Sequence, residues 1–164
     1  MGLFDKVFGS NKSCGKGDKN AKILLGRSSN SYSPGDDKIF SKISDEVLIC
    51  EVWCHTEITY LPRQFHKLTP DLLLLVADFA GNTNVRNDAG SYAYDILYDK
   101  EKERYVFDKD IIINAIKQFD DIGALQRVRS RASSKCPPFP HINNNEIYAE
   151  INAVADERIK ELTE

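Results

Sequence analysis

The chain has 164 residues, of which 41% are hydrophobic and 29% charged, and its formal net charge is −3. This length and composition favour one globular domain with a hydrophobic core. The small negative charge excludes attraction of the whole molecule to nucleic acid. No apolar run is long enough to cross a bilayer, and the first residues lack a secretory or myristoylation signal, so we expect a cytoplasmic protein.

For residues 1–40 the sequence predicts a flexible or loosely docked N-terminal segment. Residues 9–37 are rich in Gly, Ser, Asn and Lys and contain little apolar material that could pack. The exception is the short run Ile23-Leu24-Leu25, which fits either a strand or a docking segment. The domain proper is therefore expected to span residues 41–164.

The first part of that domain predicts two helices. One begins after Ser44, where Asp45 and Glu46 suit a first turn, although the β-branched content leaves a strand open for part of residues 47–60. The second begins with Thr69 as N-cap and Pro70 at the first helical position. Residues 72–76 are all apolar, so this second helix is apolar on nearly every side. We therefore expect it to be central and buried.

The connection that follows is rich in Asn and Gly. Gly81 predicts a left-handed helix stop, and residues 81–90 predict a polar, tightly turned loop. Residues 91–98 fit a short helix, and residues 99–104, whose charges alternate in sign, fit a solvated loop.

The last third of the chain predicts three more helices. Asp108 or Asp110 caps the first, whose apolar residues recur at helical spacing, and a bend at Asp120-Asp121 precedes the second. Asn143 and Glu146 resemble a capping box at the start of the last helix. We therefore predict a mainly α fold, a single compact helical domain with a loose N-terminal segment.

Acidic residues are concentrated in two parts of the sequence. Residues 45–98 contain eight Asp/Glu against three Lys/Arg, and residues 146–164 contain six against two. On exposed helix faces such carboxylates would complement a basic protein surface or imitate DNA phosphates. The candidate partner-binding residues are Asp45, Glu46, Glu51, Glu146, Glu150, Asp156, Glu157 and Glu161.

A second hypothesis concerns a cluster of sulfur and imidazole groups. Cys50 and Cys54 are i, i+4 neighbours on a helix, with His55 beside them. Together with His66 or His141 they would supply ligands for a metal-dependent or thiol enzyme. The three-residue gap between the thiols is not repeated elsewhere, and it differs from the usual zinc spacing, which favours buried structural thiols.

Three motifs resemble a known family over about residues 65–133. They are Leu68-Thr69-Pro70-Asp71, the segment Asn84-Val85-Arg86-Asn87-Asp88-Ala89-Gly90, and Ile122-Gly123-Ala124. The chain resembles a bacterial helical domain-of-unknown-function family that includes DNA-mimic proteins. The resemblance implies an all-helical fold and binding of a partner that otherwise binds DNA.

No recognisable catalytic motif accompanies these features. We therefore expect a non-catalytic bacterial binding protein that engages a basic partner, either a DNA-binding regulator or a toxin, in a DNA-mimic or immunity-like role. We expect no cofactor or metal and no direct contact with nucleic acid or membrane, and the sequence leaves a homodimer open.

Overall fold

The computed structural model describes residues 18–27, 33–43, 45–58, 63–133 and 141–164. They form a compact, mainly helical domain, which confirms the predicted fold class. The helices are α1 (Lys19–Leu25), α2 (Asp36–Phe40), α3 (Glu46–His55), α4 (Pro70–Phe79), α5 (Thr83–Leu97), α6 (Lys109–Lys117), α7 (Ile122–Ala132) and α8 (Asn145–Thr163). A 3-10 turn (Phe65–Lys67) precedes α4, and a small antiparallel hairpin, β1 (Tyr98–Asp99) and β2 (Arg104–Tyr105), follows α5.

The central element is α4. Every residue from Leu72 to Phe79 is buried, and the helix contacts α3, α5, α6 and α7. Pro70 occupies its first turn as predicted, where a missing backbone N–H costs nothing. The prediction of a buried central helix is therefore confirmed, and α8 completes the domain by packing against α6 and α7.

The predicted polar loop at residues 81–90 is wrong, because most of it belongs to α5. The side chain of Asn82 caps this helix by accepting hydrogen bonds from the N–H groups of Asn84 (2.8 Å) and Val85 (3.3 Å). Val85, Ala89 and Ala93, spaced by four residues, are buried. These small side chains form a narrow stripe that packs against α4, and Asn and Gly around it obscure the helical pattern.

Part of the predicted N-terminal segment belongs to the same core. Ala21 and Leu24 of α1 are fully buried, and α1 packs against α2 and α3. Arg27 forms an ion pair with buried Asp36, which joins the two helices. The apolar run at residues 23–25 is thus helical and docked. Residues 1–17, 28–32, 44, 59–62 and 134–140 lie outside the described part of the chain.

Side-chain caps define the later helices. Asp108, one of the two predicted caps, accepts a hydrogen bond from Asp110 N, and Asp121, at the predicted bend, accepts one from Ala124 N. Residues 100–103, between β1 and β2, form an exposed turn. The cap of α8 is Asn144 and not Asn143, whose φ of 41° places it just outside the helix in the left-handed region.

Gly81 is required for a reason that differs from the prediction. Its N–H donates to Trp53 O (3.1 Å), so the turn between α4 and α5 lies against the C-terminal end of α3. A Cβ at this position would lie 2.3 Å from the backbone O of Thr56 and 2.9 Å from its C. The constraint is therefore close approach of two backbones, and not a left-handed φ.

We expect Gly81→Ala to lower the free energy of unfolding by about 1–3 kcal/mol, the usual cost of overpacking. The obstacle is backbone that cannot rotate away, unlike a side chain. Urea denaturation followed by circular dichroism would measure the change. Gly35→Ala is the matched control, because nothing lies within 4 Å of its added Cβ, and equal effects of the two substitutions would contradict the packing argument.

Candidate functional site

The eight predicted partner-binding residues divide between two helices. Asp45, Glu46 and Glu51 belong to the start and middle of α3. The other five all lie on α8, which packs against α6 and α7. The two groups therefore occupy different helices and have different environments.

The three acidic residues of α3 accept hydrogen bonds from backbone N–H groups within the domain. Asp45 is the N-cap of α3 and accepts hydrogen bonds from Val47 N (2.9 Å) and Leu48 N (3.3 Å). Glu46 accepts a hydrogen bond from the N–H of Thr69, at the start of α4. Both carboxylates are half-buried, so their first role is to position helix ends.

The prediction that Glu51 lies on an exposed helix face is wrong, because its side chain is fully buried. Its Oε1 accepts hydrogen bonds from Asp120 N and Asp121 N, each at 2.5 Å, and thereby holds the turn before α7. Burial, opposed by these two hydrogen bonds, raises the pKa of Glu51 to about 7. Among the described residues Oε2 has no hydrogen-bond partner, so this carboxyl is a structural group and no partner can reach it.

The α8 group does face solvent. Glu146, Asp156, Glu157 and Glu161 are exposed and Glu150 is half-exposed. Three of these acids have basic neighbours: Glu150 pairs with Lys109 (2.7 Å), Asp156 with Arg129 (2.6 Å) and Glu161 with Arg158 (2.9 Å). In the described residues no cation lies within 4 Å of the carboxylates of Glu146 or Glu157, so these two are the least compensated charges on the helix.

The cluster proposed for metal or thiol chemistry is arranged for packing. Cys50 and Cys54 are both fully buried, and burial, followed by the nearby Cys54 thiol, raises the pKa of Cys50 well above its ordinary value. A protonated thiol is a poor nucleophile. His55 contacts Asp121 (Nδ1 to Oδ2, 2.9 Å), which raises the pKa of His55. Within the described ranges no three His, Cys, Asp or Glu side chains are placed to hold a metal.

A buried polar network that the sequence did not predict lies at Asp78, in the apolar helix α4. Asp78 Oδ1 lies 2.9 Å from Nδ1 of His141, and Oδ2 accepts hydrogen bonds from Tyr148 Oη (2.8 Å) and Ile142 N (3.2 Å). Burial and then Asp78 raise the pKa of the Tyr148 phenol above its ordinary range. His141 is thereby held in one orientation, with Nε2 on the side of Gly90, where an added Cβ would lie 2.7 Å away.

His141 lines two cavities of about 500 and 520 Å³. One lies beside the β1–β2 hairpin and the start of α8, and the other lies along α5. No local spacing in the sequence relates Asp78 to His141, because 63 residues separate them. The available signal was Asp78 itself, a carboxylate that directly follows the apolar run of residues 72–77.

Comparison with protein-family models, with curated proteins and with solved structures found no match to this chain. No helix in the described residues has the length and apolar character needed to cross a membrane.

Glu51 generates a pH-dependence that can be measured. Because its pKa is raised from an ordinary 4.5 to about 7 on folding, its protonated form stabilises the fold fully below pH 4.5, and this stabilisation is lost as the pH rises to about 7. Glu51→Gln keeps the acceptor for the two N–H groups but carries no charge. We expect its free energy of unfolding to exceed that of the wild type by about 3 kcal/mol at pH 8, with a much smaller difference at pH 4.5.

Chemical denaturation of both proteins across that pH range would test this expectation. Glu157→Gln makes the same chemical change at an exposed position, so its effect should be small and independent of pH. A pH-independent effect of Glu51→Gln would contradict the assignment.

Proposed function

We propose that this protein is a non-catalytic binding protein that engages a basic protein partner through the outer face of α8. One observation carries the proposal: Glu146, Glu150, Glu157, Glu161 and Glu164 recur at spacings of three, four or seven residues, and therefore lie along one side of the helix. The helix has 19 residues, so this acidic face is about 28 Å long.

The charge state of this acidic face supports recognition of a cation-rich surface. Glu150, Glu161 and Glu164 already pair with basic side chains of the same chain. Because exposed ion pairs contribute little stability, these carboxylates can exchange those side chains for a basic partner at little cost. Glu146 and Glu157 have no such neighbour within 4 Å among the described residues. We assign these two as the first contacts, because uncompensated charges attract a basic partner most strongly and speed its association.

The class of partner follows from the same chemistry. A DNA-binding regulator presents a basic surface that accepts a linear array of negative charges, and so does a basic toxin. The resemblance to a bacterial family that includes DNA-mimic proteins supports the first of these. In this proposal the protein acts in the cytoplasm of a bacterium and prevents its partner from binding DNA or another acidic target.

A charge reversal on the acidic face tests the proposal. Glu146→Lys/Glu157→Lys should abolish capture of the partner from a lysate of the source cells at low salt, because it replaces two attractions with repulsions. High salt should release the partner from the wild type. Duplex DNA should also displace it if the partner is a DNA-binding protein, because both ligands would use one basic surface.

Asp95→Lys/Glu101→Lys is the matched control, since it makes the same charge change at exposed positions of α5 and of the hairpin turn. The control should retain the partner at low salt. Capture that persists in the α8 variant, or that high salt does not weaken, would contradict the proposal.

A further inference from the structure

A ligand-sized cavity lies beside the hairpin and the start of α8. Its volume is about 500 Å³, within the range of small-molecule sites. Tyr98, Tyr105, Phe107 and Ile147 give it an apolar part, and Arg104, Lys109, Glu103 and His141 give it a polar part. Such a combination of a few polar groups with aromatic walls is typical of sites that bind and orient a small ligand.

The aromatic wall is built by the hairpin register. Tyr98 of β1 lies opposite Tyr105 of β2, and the ring centroids are 5.2 Å apart with an interplanar angle of 74°. Tyr94 stacks on Tyr98 at 4.5 Å and supports it from α5. Tyr94 remains 43% exposed and the neighbouring Val106 48%. A cluster of aromatic rings that stays partly solvated is a ready surface for a planar ligand.

The polar part offers a cation and a carboxylate next to those rings. Arg104 is exposed, and among the described residues no acidic side chain lies within 4 Å of its guanidinium. Lys109, by contrast, is occupied by Glu150 at 2.7 Å. Glu103 precedes Arg104 with a φ of 50°, a left-handed conformation that is uncommon for this residue type and often marks a functional turn. Arginine recognises phosphate through paired N–H groups, and carboxylates accept hydrogen bonds from ribose hydroxyls.

His141 lines the cavity in a fixed orientation. Its ring lies 5.5 Å from that of Tyr105 at an interplanar angle of 71°. Asp78 holds its Nδ1, so the imidazole presents a constant surface to a ligand. The buried network at Asp78 thus positions one wall of the cavity in advance of binding, which lowers the entropic cost of binding.

We propose that this cavity binds a nucleoside monophosphate, with the base against Tyr98 and Tyr105, the ribose hydroxyls at Glu103 and the phosphate at Arg104. Each part of the ligand accounts for one part of the lining. A purely aliphatic anion would leave the tyrosines unused, and a neutral aromatic compound would leave Arg104 unused. The proposal does not depend on the acidic face of α8, because Tyr98, Tyr105, Glu103 and Arg104 do not belong to that face.

Isothermal titration of the full chain with AMP, GMP, CMP and UMP, each used separately, tests the proposal. We expect at least one of them to bind with a dissociation constant below about 1 mM. We expect the matching nucleoside and inorganic phosphate each to bind at least about tenfold more weakly, because each retains only part of the contacts. Absence of saturable binding by all four nucleotides at millimolar concentration would overturn the proposal.

Two variants locate the site. Arg104→Gln should weaken nucleotide binding by about tenfold or more through loss of the charge-assisted contact to phosphate, and Tyr98→Leu should weaken it through loss of the ring surface. Arg63→Gln is the matched control, because Arg63 is also exposed and does not line the cavity. Circular dichroism would verify that each variant is folded, and folded variants that bind like the wild type would overturn the assignment.

Discussion

The buried carboxylate of Asp78 is the constraint on which the rest of the structure depends. A carboxylate in an apolar helix is tolerated only when its oxygens are hydrogen-bonded, and here the partners are His141, Ile142 N and Tyr148. All three belong to α8 or to the segment just before it. The backbone O of Asp78 also accepts a hydrogen bond from Arg131 of α7 (2.6 Å). One residue of the central helix therefore fixes how α7 and α8 dock, and through α8 it orients the acidic face on which the proposed function rests.

Much of the helical framework was predictable because its determinants are local. Asp108, Asp121 and Pro70 each favour the start of a helix within a few residues of their own position. The apolar run of α4 requires that helix to lie in the core. The prediction of a loop at residues 81–90 was wrong for an equally physical reason. The buried side of α5 consists of small residues such as Ala89 and Ala93, and their contribution appears only when α4 lies against them.

The candidate sites were predictable only in part, since they depend on tertiary packing. The exposed carboxylates of α8 follow from helical spacing alone. Glu51 looked like a member of a similar surface, yet the turn at residues 120–121 covers it, and nothing near it in sequence indicates that. The hairpin cavity requires Tyr98 and Tyr105 to pair and His141 to arrive from a distant segment. Such a site is a property of the assembled domain.

The connection between α4 and α5 has a consequence for how the domain assembles. Arg86 donates hydrogen bonds to Ala80 O (2.6 Å), Gly81 O (3.1 Å) and Thr83 Oγ1 (2.8 Å), all within six residues. Closing so short a loop costs little chain entropy, so this helical hairpin is suited to form early. The contacts of Asp78 with His141 and Tyr148 span 63 and 70 residues, so a much longer loop must close before they form. On loop-closure entropy alone, docking of α8 is therefore expected to follow formation of the α4–α5 hairpin.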